Sequence, residues 1–238
     1  MRIDTYFTVE ELDPSTLEEA TAVVVDVVRA TTTLVEALAN GARGIYATPS
    51  TEEAVKLAHS LGREDTLLCG ERKGAKVPGF DLGNSPREFT REAIQGKRLV
   101  MSTTNGTRAL AKGSHAARLL PCAFTNLSAV ARAIGGADHV VVLCAGRESR
   151  FTLDDALCAG HLVRQLQGER ECSLNDASQA AGAWARFRKP SRKFLEATDG
   201  GRILVEIGLG DDLEICAEVD RHDVVAELRN QTIVRTGE

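Results

Sequence analysis

The chain has 238 residues, 43% of them hydrophobic and 26% charged, and carries a formal net charge of −5. That length suits one large domain or two small ones with a sizeable core. The acidic balance, the lack of a polybasic run and the lack of any apolar stretch near about 20 residues argue against nucleic-acid and membrane partners. Met1 to Tyr6 lacks the apolar segment of a signal peptide. The cysteines at 69, 122, 144, 158, 172 and 216 form no C-x-x-C pair, so buried thiols in a reducing compartment are expected rather than a zinc site or disulfide framework. A cytoplasmic protein is the expectation.

The first strongly apolar run, Ala22 to Val28, reads as a strand buried on both faces. It leads through Arg29 and three threonines into a helix over Leu34 to Ala39, stopped by Asn40-Gly41. Gly44 to Ala47 is a short strand. Ser50-Thr51-Glu52-Glu53 opens a helix with Ala54, Leu57, Ala58 and Leu61 on its apolar face. Thr66 to Gly70 is a strand that enters a long Gly/Pro-rich loop, and Ser85-Pro86 begins a helix. Arg98 to Ser102 is a strand, followed by a helix from Thr107. Ala123 to Asn126 ends a turn or strand, and Ser128 to Ile134 is helical. His139 to Cys144 is a second fully apolar strand, and a helix opens at Thr152. The polar stretch from Leu166 to Glu171 closes that region, and Ala177 to Phe187 and Ser191 to Ala197 read as helices. Two tail segments, Asp212 to Val219 and Asp223 to Val234, read as short strands with turns.

This alternation predicts an α/β fold with mostly parallel or mixed sheets flanked by helices. The ligand is expected at the carboxyl ends of the strands. The chain is expected to split near Gly113 to Leu120 into two α/β halves, 1–116 and 117–238, or to form one compact domain.

Four loops are the candidates to carry chemistry, against the plainer reading of helix caps, turns and surface ion pairs. Asp26, Arg29 and Thr31-Thr32-Thr33 follow the first apolar strand, and an acid inside a valine run is costly to bury unless it is paired or metal-bound. Gly70-Glu71-Arg72-Lys73-Gly74, continuing to Asp81 and Gly83-Asn84-Ser85-Pro86, brings acids and cations to a strand end. Ser102-Thr103-Thr104-Asn105-Gly106-Thr107 offers hydroxyls and free amides where a helix begins, which suits an oxyanion. Cys144-Ala145-Gly146, followed by Arg150 and by Asp154-Asp155, has the C-x5-R spacing of a cysteine phosphatase. Leu143 and Phe151 flank it where a histidine and a hydroxyl are usual. Asp154 and Asp155 are either first-turn acids favoured by the helix dipole or a second source of metal oxygens.

Taken together, these loops resemble the 2-phosphosulfolactate phosphatase family. The matching segments are Val25 to Thr33, Gly70-Glu71-Arg72, Gly79 to Pro86, Thr103 to Thr107, Cys144-Ala145-Gly146 and Phe151 to Asp155. The tail matches more loosely, through Gly201-Arg202-Ile203-Leu204 and Asp211-Asp212-Leu213; Gly200-Gly201 stands where the family has a histidine-glycine pair.

The resemblance implies a magnesium-dependent phosphatase that cleaves the phosphate ester of 2-phospho-3-sulfolactate or a related phosphorylated hydroxy acid. In methanogens that step belongs to coenzyme M synthesis. Asp26, Arg29 and Glu71 are the expected catalytic groups. Asp26, Asp154 and Asp81 are the expected magnesium ligands, since magnesium takes oxygen donors and keeps waters. Thr31, Thr32, Thr33, Arg72, Asn84, Ser85, Thr103, Thr104, Asn105, Gly106, Thr107, Gly146 and Arg202 are the expected substrate contacts, the arginines answering the anions. The partner is a small anionic phosphorylated substrate, and a homo-oligomer is left open. Two alternatives stand beside this reading: a metal-free cysteine phosphatase using Cys144 and Arg150, and an anion-binding domain without activity.

Overall fold

A computed structural model describes residues 1–236. It has two sheets, and helices lie between and outside them. The first sheet is parallel throughout and has the order β7 (Arg118–Cys122), β2 (Thr21–Val25), β8 (His139–Cys144), β1 (Arg2–Tyr6), β9 (Ser173–Leu174). The second is mixed. Its order is β10 (Val225–Arg229), β11 (Thr232–Thr236), β3 (Gly44–Ala47), β6 (Arg98–Ser102), β4 (Thr66–Arg72), β5 (Ala75–Lys76). Only β3, β6 and β4 run parallel; β5, β10 and β11 pair antiparallel.

Alternation along the strands builds two cores. Val23, Val25, Val140 and Val142 point to α5 (Leu127–Ile134) and α6 (Leu153–Glu169), where Val130, Leu157 and Leu162 receive them. The intervening Ala22, Val24, Val141 and Leu143 point the other way. They meet Leu34 and Leu38 of α1 (Ala30–Ala39) and Ala109 and Leu110 of α4 (Gly106–Gly113), beyond which lie Ile45 and Leu99 of the second sheet. The far face of that sheet packs Leu68 and Val100 on Ala54 and Ala58 of α2 (Thr51–Leu61). A strand such as β2, with Thr21 to Val25 all buried, is therefore covered on both faces, which is why it reads as an unbroken apolar run.

The remaining helices are α3 (Arg91–Ile94), α7 (Asp176–Ala185), α8 (Arg192–Glu196), α9 (Asp199–Glu206) and α10 (Asp212–Ala217). Each sheet takes strands from both sides of residue 116. Several expected elements are corrected here. Asp212 to Val219 is largely the helix α10 rather than strand, because Leu213, Ile215 and Cys216 bury at helical spacing. Ser85-Pro86 opens only a single 3-10 turn, Pro86–Glu88. Helix α6 continues through the polar stretch to Glu169. The strands β1 and β7 and the helix α9 were not anticipated: β1 alternates only weakly, β7 contains Pro121, and α9 opens on Gly200-Gly201. No described helix is long and apolar enough to cross a membrane.

Candidate active site

Three strand-to-helix turns converge on one cleft. They join β2 to α1, β6 to α4 and β8 to α6. The cleft encloses about 500 Å³ open to solvent, lined by Asp26, Arg29, Glu71, Asn84, Thr103 to Asn105 and Arg147, among others. A smaller recess of about 230 Å³ shares Asp26 and Arg147 with it and is closed by Thr152, Asp154 and Asp155. Three helix amino ends at one place favour an anion there.

Asp26 caps α1: its Oδ1 accepts from the Ala30 amide at 3.1 Å, and the Thr31 hydroxyl donates to its carbonyl at 2.8 Å. Its Oδ2 lies so close to α4 that a Cβ at Gly106 would sit 2.7 Å from it and 2.3 Å from Ala30 Cβ. Glycine is therefore required at 106 for the carboxylate and the two helices to meet. Asp155 ties two turns together, accepting from the Val27 amide at 2.8 Å and the Gly146 amide at 3.0 Å. Asp154 is buried, and its Oδ1 has no hydrogen-bond partner. Burial is the main cause that pushes these three carboxyls up. Asp26 reaches about 7, with Asp154 and Glu71 adding like charge and the Ala30 amide opposing. Asp154 reaches about 6. Asp155 rises well above the usual carboxylate range, with Asp154 and Asp26 adding to burial.

The same shifts make a stability prediction. The folded protein holds protons on Asp26 and Asp154 that the unfolded chain releases near pH 4. Stability from these groups is full below about pH 4 and is lost as pH rises toward about 7. In chelator, the thermal midpoint should therefore fall between pH 5.5 and about 7.5, and Asp26→Asn should flatten that fall. The comparison with the variant removes the contribution of His161, whose lowered pKa acts with the opposite sign. Parallel pH profiles for the two proteins would contradict it.

Glu71 binds two loops at once. Its Oε1 accepts from the Thr104 amide at 2.6 Å, and its Oε2 accepts from the Gly74 amide at 2.7 Å and the Thr104 hydroxyl at 3.1 Å. Arg29 is held in a buried pair: Nη1 donates to Asp212 Oδ2 at 2.7 Å and Nη2 to the Gly74 carbonyl at 2.6 Å. Ser85 Oγ donates to the other oxygen of Asp212 at 2.6 Å. Asn84 is buried in the cleft wall, and its Oδ1 has no partner in the protein.

Of the expected substrate contacts, Asn84, Thr103, Thr104 and Asn105 line the cleft, and Gly146 lines the recess. Others serve the framework. Thr32 donates to the Val27 carbonyl, Thr33 to the Asn84 carbonyl and Thr107 to the Thr103 carbonyl. Arg72 is tied to the Ser102 hydroxyl and the Glu71 carbonyl. Two residues stand apart from the site. Asp81 is bonded to Arg63 and to the Leu68 amide and lines neither cavity, so it is not placed as a metal ligand. Arg202 is exposed and paired with Asp199; on α9 it is Gly200, Ile203 and Leu204 that reach the cleft.

The cysteine alternative does not fit this geometry. Cys144 is buried at the end of β8, lines neither cavity, and its thiol is pushed well above its ordinary value by burial and then by Asp155 and Asp154. Arg150 is exposed and lines neither cavity. Cys144→Ser should keep more than about a tenth of wild-type turnover, whereas loss of a nucleophilic thiolate would remove nearly all of it. A folded but inactive Cys144→Ser protein would reverse this conclusion. Asp155, expected as a first-turn acid or a source of metal oxygens, instead bonds two backbone amides, and Asp212, Lys73 and Arg147, none of them among the expected site residues, have a place here.

Buried acids at the carboxyl ends of parallel strands, facing helix amino ends and arginine, define an α/β protein of the phosphoryl-handling kind. Comparison with known proteins narrows this. The model of the 2-phosphosulpholactate phosphatase family matches residues 6–231. A probable 2-phosphosulfolactate phosphatase of Caldicellulosiruptor saccharolyticus is 39% identical, over 98% of this chain and 99% of its own. Proteins of the same description from Caldanaerobacter subterraneus and Thermotoga maritima are each 36% identical, over 100% and 92% of this chain and 99% and 94% of their own. The chain belongs to the 2-phosphosulpholactate phosphatase family.

Proposed function

We propose that the protein is a magnesium-dependent phosphatase that hydrolyses 2-phospho-3-sulfolactate, or a close phosphorylated hydroxy acid, to the hydroxy acid and phosphate. The observation that carries this reading is the recess where Asp26 and Asp154 sit buried together, one oxygen of Asp154 without a partner. Among the described residues no three His, Cys, Asp or Glu side chains gather as a metal cage. Two carboxylate donors with the remaining positions left to water and phosphate is the form a magnesium site takes. The donors fit: an oxygen ligand set, buried like charges that a cation relieves, and an adjoining cleft for the ester.

Asp26 and Asp154 would hold the magnesium, which would supply charge neutralisation at the phosphoryl oxygens. The chain's own residues do the rest. Thr103 to Asn105 present the amino end of α4 to the phosphate, Arg147 faces the same space, and Asn84, whose Oδ1 accepts no hydrogen bond from the protein, forms part of the wall. Arg29, fixed by Asp212, and Glu71, fixed on Thr104 and Gly74, hold the walls in register. Six free cysteines, five of them buried, suit a reducing cytoplasm, and sulfolactate release would serve coenzyme M synthesis where a cell makes it.

The metal half of this reading is tested by titrating magnesium into the chelator-treated protein by calorimetry. Wild type should bind with a saturable isotherm, and Asp154→Asn should weaken it at least about tenfold. Absence of binding in wild type, or equal binding in both proteins, would count against it.

A further inference from the structure

The strands β4 and β5 pair Glu71 with Lys76 and Arg72 with Ala75, so Lys73 and Gly74 form a two-residue hairpin loop. Both have positive φ, 53° and 86°. Such a loop favours Asn-Gly or Gly-Gly, because a side chain in the left-handed region is strained. This chain spends that conformation on a lysine, and a strained residue beside a site points to a role there. The loop is fixed on every side. Glu71 accepts from the Gly74 amide, Arg29 donates to the Gly74 carbonyl, and a Cβ at Gly74 would sit 3.0 Å from Ile207, the residue that follows α9.

Three cations line the cleft: Arg29, Lys73 and Arg147. Arg29 is neutralised by Asp212. Among the described residues, the side chains of Lys73 and Arg147 take part in no ion pair or hydrogen bond. They differ in depth. Arg147 lines both the cleft and the recess, and its charge reaches Asp154, whereas Lys73 lines the outer cleft alone. An ester whose phosphate sits against the recess therefore meets Arg147 at the reacting group and Lys73 at the other end.

Building on the phosphatase reading, we propose that Lys73 is a specificity-determining residue: its ammonium receives the non-reacting carboxylate or sulfonate of the substrate, so the enzyme selects phosphate esters with a second acid. The chemistry is a charge-assisted hydrogen bond made by a residue whose backbone is already immobilised.

The test compares three esters, 2-phospho-3-sulfolactate, 2-phospholactate and isopropyl phosphate; the last replaces the carboxylate of 2-phospholactate by a methyl group. Wild type should prefer both acid-bearing esters in kcat/KM. Lys73→Met, which carries the same backbone strain, should shrink that preference about tenfold, through KM. Lys73→Arg should restore it and Lys73→Glu should reduce it further. An unchanged preference in Lys73→Met overturns the proposal, as does a wild type that cleaves all three alike. Calorimetric titration of sulfolactate, which lacks phosphate, reads the subsite without turnover. If no ester is cleaved yet sulfolactate binding weakens in Lys73→Met, the phosphatase reading fails and the acid subsite stands. If that binding is indifferent to residue 73, the subsite fails.

Discussion

Asp26→Asn is expected to lower kcat by about a thousandfold or more while leaving the fold intact. The carboxylate shares a recess with Asp154, and the amide that replaces it offers a magnesium ion one neutral oxygen instead of a charged one. Losing that charge at the transition state costs roughly 4 kcal/mol, which is about three decades in rate. Asparagine keeps an oxygen for the Ala30 amide, so the cap on α1 persists. It also removes a carboxyl whose burial favours the neutral form. The metal-free variant should thus melt higher than metal-free wild type at pH 7.5, which separates lost chemistry from lost structure. Wild-type turnover in Asp26→Asn would remove Asp26 from the mechanism.

Arg29→Lys should damage both stability and turnover. The guanidinium spans Asp212 and the Gly74 carbonyl with two different nitrogens, and both members of the pair are about 2% exposed. A single ammonium cannot reproduce that fork, and Asp212 is then poorly matched in a buried setting. Breaking a buried pair costs roughly 3 kcal/mol or more, which for a chain of this size lowers Tm by about 6 °C or more. The hairpin turn loses an anchor at the same time, so kcat/KM should fall about a hundredfold. Melting curves and steady-state kinetics measure both. Unchanged values of both would make the pair an incidental contact.

The parts of this site that were legible in the sequence are those made by local patterns. The valine run before Asp26, the capping threonines and the Gly106 turn announce a strand meeting a helix, and the structure puts Asp26, Asn105 and Asp154 around one space. What was not legible depends on residues far apart in the chain. Asp212 pairs with Arg29 across 183 positions and Asp155 caps Val27 across 128, and no periodicity reports such meetings. Thr31, Thr32 and Thr33 looked like ligands because hydroxyls at a helix start are common to phosphate cradles and to capping; burial with carbonyl and amide partners decides for the framework. Asp81 looked like a metal ligand because its loop follows a strand end, yet it folds back to the start of that strand to meet Arg63 and Leu68. The sheets were expected, but which strand joins which was hidden for a similar reason: the chain passes from one sheet to the other three times, and an alternation of strands and helices carries no label for which sheet a strand joins.

Phosphate release from 2-phospho-3-sulfolactate, followed with added magnesium and again after chelation, tests the central claim most directly. The account predicts sustained release with magnesium, its loss in chelator and its return when magnesium is restored. Release that continues undiminished in chelator, or no release from this ester under any metal condition by a folded protein, would contradict it.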